Sequence, residues 1–131
     1  FGEKVSLERL LQESDVISLH LPLKEQTKHI INTKQLFMMK SSAVVINTAR
    51  AQLVHKEAMI DALHKERLSM YCSDVFDPEP PVMDDPLIMH SCTIFTGHMA
   101  WASLEARTRC LNIIENNIKA FINNKVVNQV N

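Results

Sequence analysis

Apolar and polar positions alternate along this chain between two periods. Leu7, Leu10 and Leu11 recur at helical spacing behind Ser6, a good N-cap, and predict a helix over Leu7–Glu13. Asp15-Val-Ile-Ser-Leu-His-Leu21 is rich in branched apolar residues and stops at Pro22, which predicts a buried strand over 15–21. After the polar stretch 24–28, Asn32 followed three residues later by Gln35 has the form of a capping box, opening a short helix through Leu36 and Met39. Residues 42–48, Ser-Ala-Val-Val-Ile-Asn-Thr, read as a second buried strand. Ala58, Met59, Ala62 and Leu63 form the apolar face of a helix over 56–65, and 68–75 is a third strand. Pro78, Pro80, Pro81 and Pro86 then impose an irregular, extended loop. Residues 92–96 give a fourth strand. The longest helix, 103–123, spaces Leu111, Ile114, Ile118, Phe121 and Ile122 to bury one stripe.

Strands that alternate with helices and read as continuous apolar runs predict an α/β fold, a parallel sheet of the doubly wound class covered on both faces. In such sheets ligands sit beyond the carboxyl ends of the strands, so chemistry is sought just after Leu21, Thr48, Val75 and Thr96.

Composition narrows this picture. With 131 residues, 46% apolar and 22% charged, and a net charge of −1, the chain has an ordinary globular make-up. It offers no basic field for nucleic acid or an anionic membrane. Cys72, Cys92 and Cys110 are odd in number and widely spread, fitting neither a disulfide framework nor a zinc knuckle, and they point to a reducing compartment. No apolar run approaches a membrane span and no leader pattern opens the chain, so the expected location is cytoplasmic. The histidines show no ligand spacing, and no metal is expected. Only Gly2 and Gly97 are glycines, where average usage would supply roughly nine. Turns are made otherwise, or the glycine-rich part of the domain lies elsewhere.

The four strand ends carry His20-Leu-Pro22, Asn47-Thr-Ala-Arg50, Asp74-Val-Phe-Asp-Pro-Glu79-Pro80 and Gly97-His98. An arginine, a carboxylate and a histidine brought to one edge are the parts needed to reduce a 2-keto acid: a fixed cation, an acid that keeps the imidazole protonated, and a proton donor. Four blocks in register, 15–23, 46–50, 74–80 and 97–103, together with Ile31-Asn-Thr-Lys-Gln-Leu36, resemble the NAD-dependent D-2-hydroxyacid dehydrogenases over nearly the whole chain. That resemblance implies a Rossmann-like coenzyme domain. It implies catalytic roles for Arg50, on the substrate's carboxylate and carbonyl, for His98, as acid and base, and for Glu79, as the partner of His98. Glu79 is preferred to Asp77, Asp84 and Asp85, which are expected in solvent. His20 is taken as a structural strand-end residue. For the cofactor, NAD with NADP left open, it implies Leu21, Pro22 and Thr27 toward the adenosine and pyrophosphate, and Thr48, Ala49, Arg50, Asp74 and His98 around the nicotinamide. Two departures stand out: Ala51 replaces a glycine after the arginine, and Gly97 replaces a proline before the histidine.

The glycine-rich phosphate loop and the acid that reads the adenine ribose are absent, and so is a substrate domain. Residues 1–131 are therefore expected to be the C-terminal part of a coenzyme domain, a fragment that exposes an edge strand and an apolar sheet face its other half would cover and that self-associates or swaps elements to bury them, with homodimerisation implied by the family. Met99-Ala-Trp-Ala-Ser103 resembles the glycerate dehydrogenase and hydroxypyruvate reductase branch. Trp101 could equally be a packing residue. The alternatives are a corepressor of the C-terminal-binding-protein type that uses the same fold as an NAD-sensing scaffold, and an inactive fragment.

Overall fold

A computed structural model describes residues 2–130. They divide into a unit ending at His98 and a second unit beginning at Met99.

The first unit contains α1 (Leu7–Glu13), β1 (Val16–Leu19), α2 (Thr33–Met38), β2 (Val44–Asn47), a 3-10 turn (Ala51–Leu53), α3 (Lys56–His64), β3 (Met70–Ser73) and β4 (Thr93–Phe95). Each helix starts where a side chain can satisfy a free backbone N–H. Ser6 Oγ accepts from Arg9 N at 3.2 Å, Asn32 Oδ1 from Lys34 N at 3.0 Å and His55 Nδ1 from Ala58 N at 3.3 Å. The capping box at Asn32 closes only halfway. Gln35 Oε1 is buried with no hydrogen-bond partner, so the reciprocal bond is not made.

The strands form one four-stranded parallel sheet in the order β1-β2-β3-β4. Leu19, Asn47, Ser73 and Phe95 stand abreast at its carboxyl edge. This register places everything that follows β2, β3 and β4 along one line.

One face of the sheet is closed. Ile17, Leu19, Val45 and Tyr71 join Leu11 of α1, Leu36 of α2 and Met59 and Leu63 of α3 in a single core, with α2 packed against both other helices. The opposite face is open, as expected of part of a doubly wound sheet: Val16 and Ile94 are exposed, and Val44, Ile46, Met70 and Cys72 are only half-buried. All three helices of this unit contribute to the same face, so the apolar runs alternate in burial although their composition does not.

The second unit holds α4 (Leu104–Ile122), capped by Ser103 Oγ accepting from Ala106 N. No residue of α4 is buried, and its apolar stripe, Leu111, Ile114, Ile118, Phe121 and Ile122, is exposed. A single helix has no second element in its own unit against which to bury a stripe. No helix among the described residues is long and apolar enough to cross a membrane.

The segment after β2 is pinned to the loop before α2. His29 N donates to Gln52 O at 2.8 Å, Ile31 N to Leu53 O at 3.0 Å and His55 N to Ile31 O at 2.8 Å. Leu53 is fully buried at the centre of this clasp. Leu53→Ala should destabilise the protein by about 2–5 kcal/mol, read as a lower urea midpoint. Lys28→Ala on the exposed side of the same loop should stay within about 0.5 kcal/mol.

Candidate active site

Asn47 ends β2 and turns the chain. Its Oδ1 accepts from Ala49 N at 3.1 Å, and its Nδ2 donates to Arg50 O at 2.9 Å. Arg50 itself is extended, with φ −144° and ψ 136°, and its exposed guanidinium donates through Nη1 to Ala49 O at 2.6 Å. Ala51 opens the 3-10 turn and is not among the residues with positive φ, so the methyl in place of the family's glycine meets no backbone strain there.

β3 runs out at Ser73, and Glu79 follows in the proline-rich loop. Its Oε1 accepts from Phe76 N at 3.0 Å, and its Oε2 lies 2.8 Å from His98 Nδ1. These two bonds, the backbone one first, hold the Glu79 carboxyl below the usual carboxylate range, and the charge of Arg50 adds to the effect. Arg50, Glu79 and His98 thus share one electrostatic neighbourhood at the carboxyl edge. Nδ1 faces Glu79, which leaves Nε2 as the ring nitrogen directed elsewhere.

His98 adopts φ 55°, a left-handed conformation in which histidine is tolerated better than most side chains. Its N–H donates to Thr96 O at 3.0 Å. A Cβ added at the neighbouring Gly97 would meet nothing within 4 Å, so that position does not need glycine for space.

Asp85 corrects one expectation. Asp77 and Asp84 are exposed, but Asp85 is buried at 5% exposure. Lys56 Nζ donates to its Oδ2 at 2.6 Å and Leu87 N to its Oδ1 at 2.9 Å. This pair ties the loop carrying Glu79 to the start of α3. Position in the proline-rich loop gave no hint of it, because its partner lies 29 residues away.

On the open face of the sheet, Thr48, Asp74 and Thr96 rim a shallow cavity of about 170 Å³ floored by Ile46, Cys72 and Ile94. Asp74 is buried, and Thr96 Oγ1 donates to its Oδ1 at 2.5 Å. The sequence marks Thr96 only as a strand end and not as a site residue, although its place at the end of β4 follows the same rule that selects Thr48 and Asp74. Leu21, Pro22 and Thr27 lie beyond β1, apart from this cavity. Leu21 lines a separate cavity of about 270 Å³ with Leu7, Leu10 and Ile30. Thr27 Oγ1 donates to Pro22 O at 2.7 Å and accepts from Lys24 N at 2.8 Å, closing the loop after β1. His20 Nε2 lies 2.8 Å from Ser18 Oγ. Among the described residues no group of three or more His, Cys, Asp or Glu side chains could hold a metal ion.

A parallel α/β sheet with polar groups gathered at its carboxyl edge belongs to the open α/β class, in which ligands bind beyond the carboxyl ends of the strands. Residues 1–100 match the model of the D-isomer specific 2-hydroxyacid dehydrogenase NAD-binding domain, and the chain belongs to that family. It is 41% identical to a glyoxylate reductase of Korarchaeum cryptofilum over 91% of its length and 36% of the relative's. It is likewise 41% identical to a glycerate dehydrogenase of Methylorubrum extorquens, over 96% of its length and 41% of the relative's. Among solved structures, the NAD-complexed D-isomer specific 2-hydroxyacid dehydrogenase of Lactobacillus delbrueckii ssp. bulgaricus superposes with a TM-score of 0.87 at 27% identity, covering 97% of this chain and 43% of that one. The chain thus spans well under half the length of the proteins it matches.

NAD is the family's coenzyme, and the chemistry of this cavity's lining fits part of it. An apolar floor with a threonine and aspartate rim suits a flat ring that carries an amide. The chain has no glycine between Gly2 and Gly97 with which to cradle a pyrophosphate.

Because the Glu79 carboxyl titrates lower in the folded state, its contribution to stability is present above its unfolded pKa, near 4.5. It is lost as pH falls through the lower folded value. The stability advantage of wild type over Glu79→Gln should therefore shrink between pH 6 and pH 3, as measured by urea midpoints. An advantage that grew on acidification would reverse the sign assigned here.

Proposed function

We propose that residues 1–131 are the C-terminal part of the coenzyme domain of a dehydrogenase that interconverts a D-2-hydroxy acid and its 2-keto acid. The observation that carries this reading is the 2.8 Å contact between Glu79 and His98 beside the charge of Arg50. Arg50 grips the substrate's carboxylate and carbonyl oxygen, a task suited to the planar guanidinium fork. Glu79 holds His98 by Nδ1 and favours the imidazolium, so that Nε2 delivers a proton to the carbonyl oxygen during reduction and removes it during oxidation. Bound NADH supplies the hydride that the carbonyl carbon receives, so each turnover adds one hydride and one proton to the keto acid. Thr48, Ala49, Arg50, Asp74 and His98 surround the nicotinamide, and Leu21, Pro22 and Thr27 serve the adenosine and pyrophosphate side. The complete protein works as a homodimer. Its substrate pair is D-glycerate and hydroxypyruvate, a choice supported by Met99-Ala-Trp-Ala-Ser103 and by the similarity to a glycerate dehydrogenase.

His98→Asn in the complete protein keeps a side chain that tolerates left-handed backbone but removes the titrating ring. It should lower kcat by about 10²- to 10⁴-fold while leaving NADH affinity within about twofold. Unchanged turnover would end the assignment. On the wild-type protein, hydroxypyruvate should exceed glyoxylate in kcat/KM by about tenfold or more, the range that a few added contacts supply. A preference for glyoxylate would overturn the substrate and leave the reaction class standing.

A further inference from the structure

Asn47 is fully buried, yet it is polar and lies in the core row of β2. An amide there is costly unless its groups are satisfied. Its Oδ1 accepts from Ala49 N, and its Nδ2 donates to Arg50 O at 2.9 Å and to the Tyr71 hydroxyl at 3.3 Å. The Arg50 carbonyl is held from a second side by Leu53 N at 3.2 Å. Tyr71 is buried in β3, and burial pushes its phenol above the usual value. Asn47 O in turn accepts from Asp74 N at 3.0 Å and from Ser73 Oγ at 3.3 Å.

From this buried network we infer that Asn47, braced by Tyr71, is the positioning residue that sets the backbone of Arg50 and so aims its guanidinium at the substrate carboxylate. The inference rests on the reading of Arg50 given above. Each partner demands a different property of the side chain. Ala49 N needs an acceptor and Arg50 O needs a donor, and among side chains short enough for the turn only an amide offers both in a fixed plane. Aspartate would keep the first bond and set a carboxylate oxygen against the Arg50 carbonyl. Holding Ala49 N on one side of the Arg50 Cα and the Arg50 carbonyl on the other constrains the backbone angles between them, and with those the direction of the Cα–Cβ bond from which the long arginine side chain extends.

The experiment is a double-mutant cycle on the complete protein, with NADH and the keto acid as substrates. Arg50→Gln tests the parent reading: if it leaves kcat/KM unchanged, Arg50 is not the substrate grip, and both claims fall. If it lowers kcat/KM, Asn47→Ala should also lower it, by about 10- to 100-fold, as displacement of a binding group by about 1 Å does. Most of the change should appear in KM for the keto acid, with NADH affinity held within about twofold. Added to Arg50→Gln, Asn47→Ala should cost less than about threefold more, because its effect runs through a side chain already gone. Equal losses in both backgrounds, or a loss shared by NADH affinity, would make Asn47 a structural residue only and overturn the inference. Should Asn47→Ala not fold, Tyr71→Phe removes a single brace. It should lower kcat/KM by about 2- to 10-fold in wild type and leave the Arg50→Gln protein unchanged; the same loss in both would again overturn it.

Discussion

The parallel register of four short strands is the constraint on which the rest of this molecule depends. Leu19, Asn47, Ser73 and Phe95 stand in one row, and because all four strands run the same way, every chain segment that leaves the sheet leaves at the same edge. Glu79 and His98, 19 residues apart in sequence, meet there, and the charge of Arg50 reaches Glu79 from the end of β2. The strands need only three or four residues each, since the core formed with α1, α2 and α3 holds the buried face in place. A one-residue slip of β2 would send Asn47 to the open face and carry Arg50 off the line of the other two.

On that scaffold, charge and backbone bonds divide the work. The loop after β3 lacks a regular ladder, and it is held by the Lys56–Asp85 pair at one end and by the Phe76–Glu79 bond at the other. Glu79 is therefore oriented from the backbone before it meets His98. The imidazole sits on a left-handed residue, in a backbone well that disfavours most side chains. The Glu79–His98 contact joins two segments that each hold their own geometry, which is what preorganisation requires of the site proposed here.

Much of this was legible from residues alone. The four strands and four α-helices were visible in apolar patterning, cap residues and prolines, while the 3-10 turn Ala51–Leu53 carried no such signal. The structure differs where long-range packing decides. Asp85 reads as one more loop acid and is buried because Lys56 reaches it. Gln35 has the spacing of a capping partner, yet its Oε1 is buried with no hydrogen-bond partner, and only the Asn32 side chain caps, through Lys34 N. The strands read as buried on both faces, since Val and Ile occur at successive positions, yet the helices of this unit serve only one. Asn47 could be quoted as part of a motif, but its purpose emerges only when Tyr71, 24 residues on, is seen against its amide.

The central claim is that Arg50 and the Nε2 side of His98 face one small keto acid. A crystal structure of the complete protein with NAD and oxamate, an unreactive 2-keto acid analogue, tests it most directly. The account predicts the oxamate carboxylate on Arg50 and its carbonyl oxygen within hydrogen-bond reach of His98 Nε2, with Nδ1 still on Glu79. Oxamate bound elsewhere, or an imidazole turned from Glu79 with oxamate in place, would contradict it.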